Sequence, residues 1–489
     1  VHSLLLGHGQ LNWVTRGTYL GYNRNYFVPH FDDVFLPDDR WDVDDNTTYE
    51  DGGATNPLIR MTADDVGRAV DWSTSNGMLM DFVFNGAGSI EAIDAFGGDP
   101  LTDALLSERD AFRWINHTYE HLNLDAVGEA VIIAEIEANL DFAAANRIPI
   151  DPTELVTGEH SGLHNEPGIS GALSKTGIEW IAADNSREPV PYGIGPASTI
   201  PRYPSNLYYN IGTREELLDE YNFIYFENCD PANPPPLTTC LTQPATWEQL
   251  VDSEADIMLP HLITNDPRPH YFHQSNLAED GTFYLVVDEV LDRYRRYFKV
   301  DLVQPAFAES GRILQRAAAW NAAKDGVTAY YEAGRLYLSA PNEISAPVTG
   351  LPGGDLFGGE RSGWVDIGPR GVVIDLDGFV WPPSPGSSAV VESRISASGD
   401  DVEEWGGGWL ALYSSDLELV EESTVQTIGL RFPGLAIPQG ATITAAWVQF
   451  TVDEPTGRTT VLEVAGHDVG DAPPFSGDGD VSSRPVTPV

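Results

Sequence analysis

Two adjacent aspartates, Asp32 and Asp33, close an apolar, aromatic run in "YFVPHFDDVFLPDDRWD" (residues 26–42). Neighbouring residues on a strand point to opposite faces, so both can reach one site only where the strand ends and the backbone turns. In "FRWINHTYEHLNLD" another apolar run leads into His117 and His121, four residues apart. With Thr118 near the start of a following helix, that spacing brings both imidazoles to one side, as a shared metal requires. Alone, the two histidines read equally well as a structural or exposed pair. A carboxylate from a neighbouring strand end changes this: Asp33, His117 and His121 make an Asp-His-His set with positions left for water and substrate, as in catalytic zinc sites. Asp32 is then free to take a proton from a metal-bound water as general base. Because the metal already acidifies that water, little is left for a carboxylate to do.

Other polar groups also follow apolar runs. His160 and His164 in "TGEHSGLHN" repeat the four-residue spacing, but Gly158 and Gly162 argue against a regular helix. A loop at a strand end is expected, with His160 a candidate substrate contact. In "IEWIAADNSR", Asp184 is a second candidate substrate contact, and Arg187 is either a charge-assisted partner of Asp32 or a plain surface arginine. Asp38, Asp39, Asp42, Asp44 and Asp45 read as a solvated acidic loop, with a calcium loop as the alternative.

The elements that must position these groups follow from pattern. From about residue 25 to 300, short apolar runs alternate with amphipathic stretches, which predicts βα units around a mostly parallel sheet or barrel. The strands are "YFVPHF", "MLMDFVF", "FRWINH", "ELVTG", "IEWIAA" and "RPHYFHQ". Between them lie "TADDVGRAVDWSTSNG", "DAVGEAVIIAEIEANLDFAAAN" and "TREELLDEYNFIYF", the first and third opening on a threonine cap. Polar residues gather at strand ends, the face of such folds where chemistry sits. After "RILQRAAAWNAAKDG" the pattern turns to short strands and Gly/Pro turns. The expected organisation is an α/β barrel over residues 1–310, a β-rich appendage over 311–380, a Pro-stiffened linker over 381–389 and a β-sandwich over 390–489. The first residues are expected to be the end of an upstream domain and the last module to be truncated.

Composition narrows the partners. Asp and Glu number 74 against 27 Lys and Arg, a formal charge of −47, which repels nucleic acid and anionic membranes. "AVIIAEIEANLDFAAA" is interrupted by Glu135, Glu137 and Asp141, so no membrane span is expected. Cys229 and Cys240 bracket the Pro-rich loop "CDPANPPPLTTC" and suit a disulfide in an oxidising compartment, hence a secreted or cell-surface protein.

With "HFDDVF" and "NHTYEH" the chain resembles the metal-dependent polysaccharide deacetylases, which share an Asp-Asp pair at the first strand end and a His-(Ser/Thr)-x-x-His motif. Within them it is most similar to the branch of the fungal galactosaminogalactan deacetylases and their bacterial relatives. "NWVTRGTYLGYNRNYF", "TGEHSGL", "ADNSR", "RYPSNLYYNIGTREELLDEYNFIYF" and "FHQSNL" resemble that branch too, over residues 10–300 or so. The resemblance implies a distorted (β/α) barrel, a divalent metal, most often zinc, and removal of N-acetyl groups from a hexosamine-containing polysaccharide by attack of a metal-bound water. It assigns Asp32 as base, Asp33, His117 and His121 as metal ligands, and His273 as general acid. The residues agree on the last point: an amine leaving group needs a proton, and His270 and His273 lie three apart on one strand, so only one faces the site. His273 is nearer the strand's C-terminal end. Residues 390–489 resemble β-sandwich modules appended to secreted bacterial carbohydrate enzymes. A catalytically silent glycan-binding barrel and a metal-dependent hydrolase of another bond are the competing readings.

Overall fold

The computed structural model describes residues 2–49, 57–230, 240–332 and 334–376. Beyond these it describes 393, 395, 397–414, 417, 419, 424–433, 435, 447, 448, 450, 462–469 and 472–487. The chain divides into two compact units, residues 1–379 and 380–489.

The first unit is built on eight strands: β1 (Pro29–Val34), β2 (Asp81–Phe84), β3 (Arg113–Asn116), β4 (Ile150–Leu155), β5 (Trp180–Asp184), β6 (Gly193–Ile194), β7 (Ala197–Arg202) and β8 (His270–His273). Their order in the sheet is β8-β1-β2-β3-β4-β5-β7-β6. All neighbours run parallel except the short β6, which pairs antiparallel with β7. The sheet curls until its two sides meet: Tyr203, just after β7, makes a parallel bridge to His270 of β8, donating its N–H to Pro269 O at 2.7 Å. This is the barrel expected from the alternation of strands and helices, distorted as the resemblance implies.

Side-chain alternation gives the barrel two faces. Phe82, Phe84 and Trp114 face one way into a large apolar cluster with helices that include Ala63–Asn76 and Thr282–Tyr297; Leu155, Ile181 and Ala183 join a second cluster with helices Glu129–Asn146 and Gly168–Thr176. The expected threonine caps are formed: Thr62 and Thr213 each accept from the backbone N–H three residues on, in reciprocal capping boxes with Asp65 and Glu216. The other face carries Val83, Ile115, Val156, Trp180, Ala182 and Ile200, and Phe307 and Ala308 complete that cluster. Both belong to the helix Phe307–Ala323, which approaches so closely that a Cβ on Gly311 would fall 2.2 Å from Trp180.

That helix spans residue 310 and serves the barrel. Its far end also anchors the β-rich segment, where Trp320 packs with Leu336, Leu338, Val348 and Ile367. The segment forms two small antiparallel sheets, and one recruits Tyr19 and Leu20 opposite Thr349 and Val348. Residues 2–15 form a helix. In the second unit the described residues include a three-stranded antiparallel sheet, Leu410–Ala411, Asp401–Trp405 and Gln426–Leu430, around Val402, Leu410 and Phe475. The linker 381–389 and much of the expected sandwich lie outside the described residues. Among the described residues, no helix is long and apolar enough to cross a membrane.

Candidate active site

Asp32 and Asp33 reach one site because the backbone turns between them, within β1 rather than beyond its end. The pairing of β1 with β2 slips between Phe31 and Val34, and Asp33 adopts a left-handed φ of 64°. Asp32 therefore keeps the inward direction that alternation gives it, and Asp33 is swung round to the same rim.

His117 and His121 are positioned by a loop, not by a helix as the spacing suggested. Thr118 and His121 are both left-handed, with φ of 64° and 59°, and no regular element covers them. Buried amides hold the loop's shape: Asn85 Nδ2 donates to the carbonyls of His117 and Thr118 at 2.7 and 3.0 Å, and Thr118 N–H donates to Asn116 Oδ1 at 2.9 Å. From the helix Glu129–Asn146, Asn139 donates to Asn116 Oδ1, and Glu135 accepts the N–H groups of Tyr119 and Glu120. Glu135 and Asn139 are four apart and so share a helix face. They are two of the four polar interruptions of an otherwise apolar stretch, with Glu137 and Asp141, and their shared face is a signal that could have marked them as supports.

Asp33, His117 and His121 converge as expected, with one potential ligand atom from each lying within 4.8 Å of the others. His121 Nε2 is 3.1 Å and His117 Nε2 3.3 Å from Asp33 Oδ1. The donor set fits a divalent cation. Asp33 Oδ1 is buried and accepts from no hydrogen-bond donor among the described residues. His117 Nδ1 donates to Val156 O at 3.0 Å, which leaves the Nε2 lone pair facing the cluster, as metal-binding histidines do when the other ring N–H is held by a carbonyl. Gly158 backs the other imidazole so tightly that a Cβ there would lie 2.8 Å from His121 Nε2.

Arg187 is a correction. It is 77% exposed in its side chain and 3.5 Å from Asp184 Oδ2, three residues away, with Asp32 elsewhere. The partner of Asp32 is Arg202, at the end of β7, whose Nη1 and Nη2 donate to Oδ1 and Oδ2, both at 2.7 Å. The Arg202 side chain is 0% exposed and its guanidinium lies 4.7 Å from the centre of the Tyr271 ring. Burial disfavours a charged Asp32, but the Arg202 guanidinium outweighs it and holds the carboxyl well below the usual carboxylate range.

Of the other expected groups, His273 Nε2 stands 3.9 Å from Asp33 Oδ2, at the same rim. His270 is turned away, 3.1 Å from His261 Nδ1 and beside Tyr203. His160 is brought to Arg202, with Nε2 2.9 Å from Nη2. His164, 76% exposed in its side chain, leaves the cluster for Glu188 at 2.6 Å. Asp184 lies beside Arg202 in the sheet register, yet its Oδ1 is occupied by the N–H and hydroxyl of Ser186, both at 2.7 Å. The acidic-loop reading fails for Asp38, which is buried and accepts from Gln274 Nε2 at 2.7 Å and Ser275 N–H at 3.2 Å.

The curled parallel barrel is the fold of a carbohydrate deacetylase of known structure. The crystal structure of Agd3, described as a novel carbohydrate deacetylase, superposes with a TM-score of 0.61 at 19% identity, over 76% of this chain and 68% of that one. The match is also particular in sequence: residues 98–294 fit the family model of the Agd3 deacetylase domain, a span that holds His117, His121, His160, Arg202 and His273 and leaves out Asp32 and Asp33. The resemblance read from the motifs is borne out. The chitin deacetylase of Colletotrichum lindemuthianum is a more distant likeness, at 13% identity over 57% of this chain and 85% of that one, with a TM-score of 0.32. No curated protein matches the chain.

Proposed function

We propose that the chain is an exported, divalent-metal-dependent deacetylase that removes N-acetyl groups from a polysaccharide containing N-acetylhexosamine. One observation carries the reading: two adjacent carboxylates have divergent partners. Asp32 is clamped by a buried arginine, while Asp33 faces two imidazoles with an oxygen that accepts no hydrogen bond from a described donor. One oxygen and two imidazole nitrogens suit zinc, and a divalent cation held there supplies Lewis-acid polarisation and acidification of a water.

The chain's own residues supply the rest. Arg202 keeps Asp32 ionised and aimed at the rim, which lets it take the proton of the attacking water even though the ion pair weakens it as a base. His273 is placed to give a proton to the nitrogen as the C–N bond breaks, so that acetate and a free amine leave. The match of residues 98–294 to a deacetylase domain supports this reading. The Cys229–Cys240 disulfide, with Cα atoms 5.5 Å apart, supports an oxidising destination.

The test is to load the protein with zinc and incubate it with several N-acetylated glycans, assaying acetate, primary amine and reducing ends. Acetate and amine released in equal amounts are expected. New reducing ends would reassign it as a glycosidic hydrolase, and no release from any glycan, with binding retained, as a silent glycan binder.

A further inference from the structure

The turn Thr157–Ser161 follows β4 and lies against the metal-site cluster, with Gly158 packed on His121. Glu159 and His160 both adopt left-handed backbone, with φ of 55° and 52°, which non-glycine residues keep only where the surroundings impose it. Here the imposing contacts are within the turn: His160 N–H donates to Thr157 O at 3.0 Å, Ser161 N–H to Gly158 O at 2.8 Å, and Thr157 Oγ1 to Ser161 O at 2.7 Å. The outcome is a fixed direction for one side chain. His160 Nε2 meets Arg202 at two points, 2.9 Å from Nη2 and 3.3 Å from Nε. Its ring also packs edge-on against Tyr271, with centroids 5.2 Å apart, the tyrosine over which the guanidinium lies.

Arginine has only donors, so the His160 nitrogen facing it must be the one with the lone pair, and the ring proton sits on Nδ1. The guanidinium is thus held on three sides: two N–H groups on Asp32, a second edge on His160 and a face on Tyr271. A bidentate pair holds guanidinium and carboxylate close to one plane, so whatever orients the guanidinium also orients the carboxylate. We propose that His160 is a positioning residue that sets the plane of Arg202 and through it the direction of Asp32, and that it makes no contact with the polysaccharide. The inference rests on Asp32 being the base of the proposed reaction.

The experiment compares His160→Ala, His160→Gln and His160→Phe at equal zinc occupancy, with Asp32→Asn alongside. His160→Ala and His160→Phe are expected to lose about 10- to 100-fold in kcat, the scale of a small misplacement of a reacting group, with KM within about twofold of the parent. His160→Gln, which keeps an acceptor, recovers part of the loss. A raised KM at unchanged kcat makes His160 a substrate contact and overturns the proposal, as does a glutamine no better than phenylalanine. If Asp32→Asn is dead while His160→Ala works like the parent, this inference falls and the proposed function stands. If Asp32→Asn works like the parent, Asp32 is not the base and this inference falls, while the deacetylase reading stands; a parent that releases no acetate sinks that reading instead. Should the variants fail to fold, nitrogen-15 NMR of labelled histidine in the intact protein decides: an unprotonated Nε2 on His160 is expected, and a protonated one overturns the proposal.

Discussion

The two ends of the barrel's inner face bury the same kind of group to different ends. At the C-terminal rim, Asp32 has both oxygens on a guanidinium and Asp33 stands between imidazoles. At the opposite end, Glu154 is equally buried but among the described residues accepts from one backbone donor, the N–H of Ala308 at 2.6 Å, and burial pushes its pKa up to about 7. One sheet face therefore holds one carboxylate kept ionised and another that titrates near neutral pH. Burial does not distinguish them; the partners do.

The comparison can be broken most severely at the rim. His117→Ala and His121→Ala should each abolish stoichiometric zinc binding, measured by elemental analysis of dialysed protein. Retention of metal by both, with loss on His160→Ala, would move the site elsewhere. Next, Asp32→Asn should keep its zinc and lose ~10²–10⁴-fold in turnover. Near-parental acetate release from the loaded variant would remove Asp32 from the chemistry. Smaller again is Gly158→Ala, whose Cβ would press on the His121 ring: zinc affinity should fall about 10- to 100-fold by competition with a chromophoric chelator, the scale seen when groups behind metal ligands are changed. An unchanged affinity would mean that His121 relaxes freely.

The smallest effect belongs to the far end. Glu154 has a folded pKa of about 7 against an ordinary 4.5, so its contribution to stability is full below pH 4.5 or so and is lost as pH rises through 7. Glutamine copies the protonated form. Glu154→Gln should therefore melt like the parent at pH 5 and be more stable at pH 8, by on the order of 1–3 kcal/mol. Melts that differ equally at both pH values would show that Glu154 is ionised throughout.

The sequence displays the site wherever an apolar run leads straight into a polar group. Asp32, Asp33, His117 and His273 could be read because β1, β3 and β8 are rich in aromatic and branched residues. Arg202 could not. Its strand, Ala197–Arg202, contains Ser198, Thr199 and Pro201 and is followed by Pro204, a composition that reads as loop. Missing the strand meant missing the arginine, and exposed Arg187 took its role. The histidine loop was misread for a different reason. A four-residue spacing is ambiguous between a helix turn and a loop folded back by left-handed residues, and the amides that decide it, Asn85 and Asn139, lie in distant parts of the chain. The order of βα units was legible from periodicity, whereas the sealing of the barrel by Tyr203 and His270 is a long-range backbone contact with no local signature.

The helix that begins at Phe307 has a consequence for how the molecule is made. A ribosome delivers the strands bearing Val83, Ile115, Trp180 and Ile200 well before it delivers Phe307 and Ala308, which complete their apolar cluster. Until then that surface is open to any apolar partner, the condition in which nascent chains aggregate or engage chaperones. The barrel becomes complete only when a segment from beyond its last strand arrives, so the nascent chain waits for its own downstream sequence.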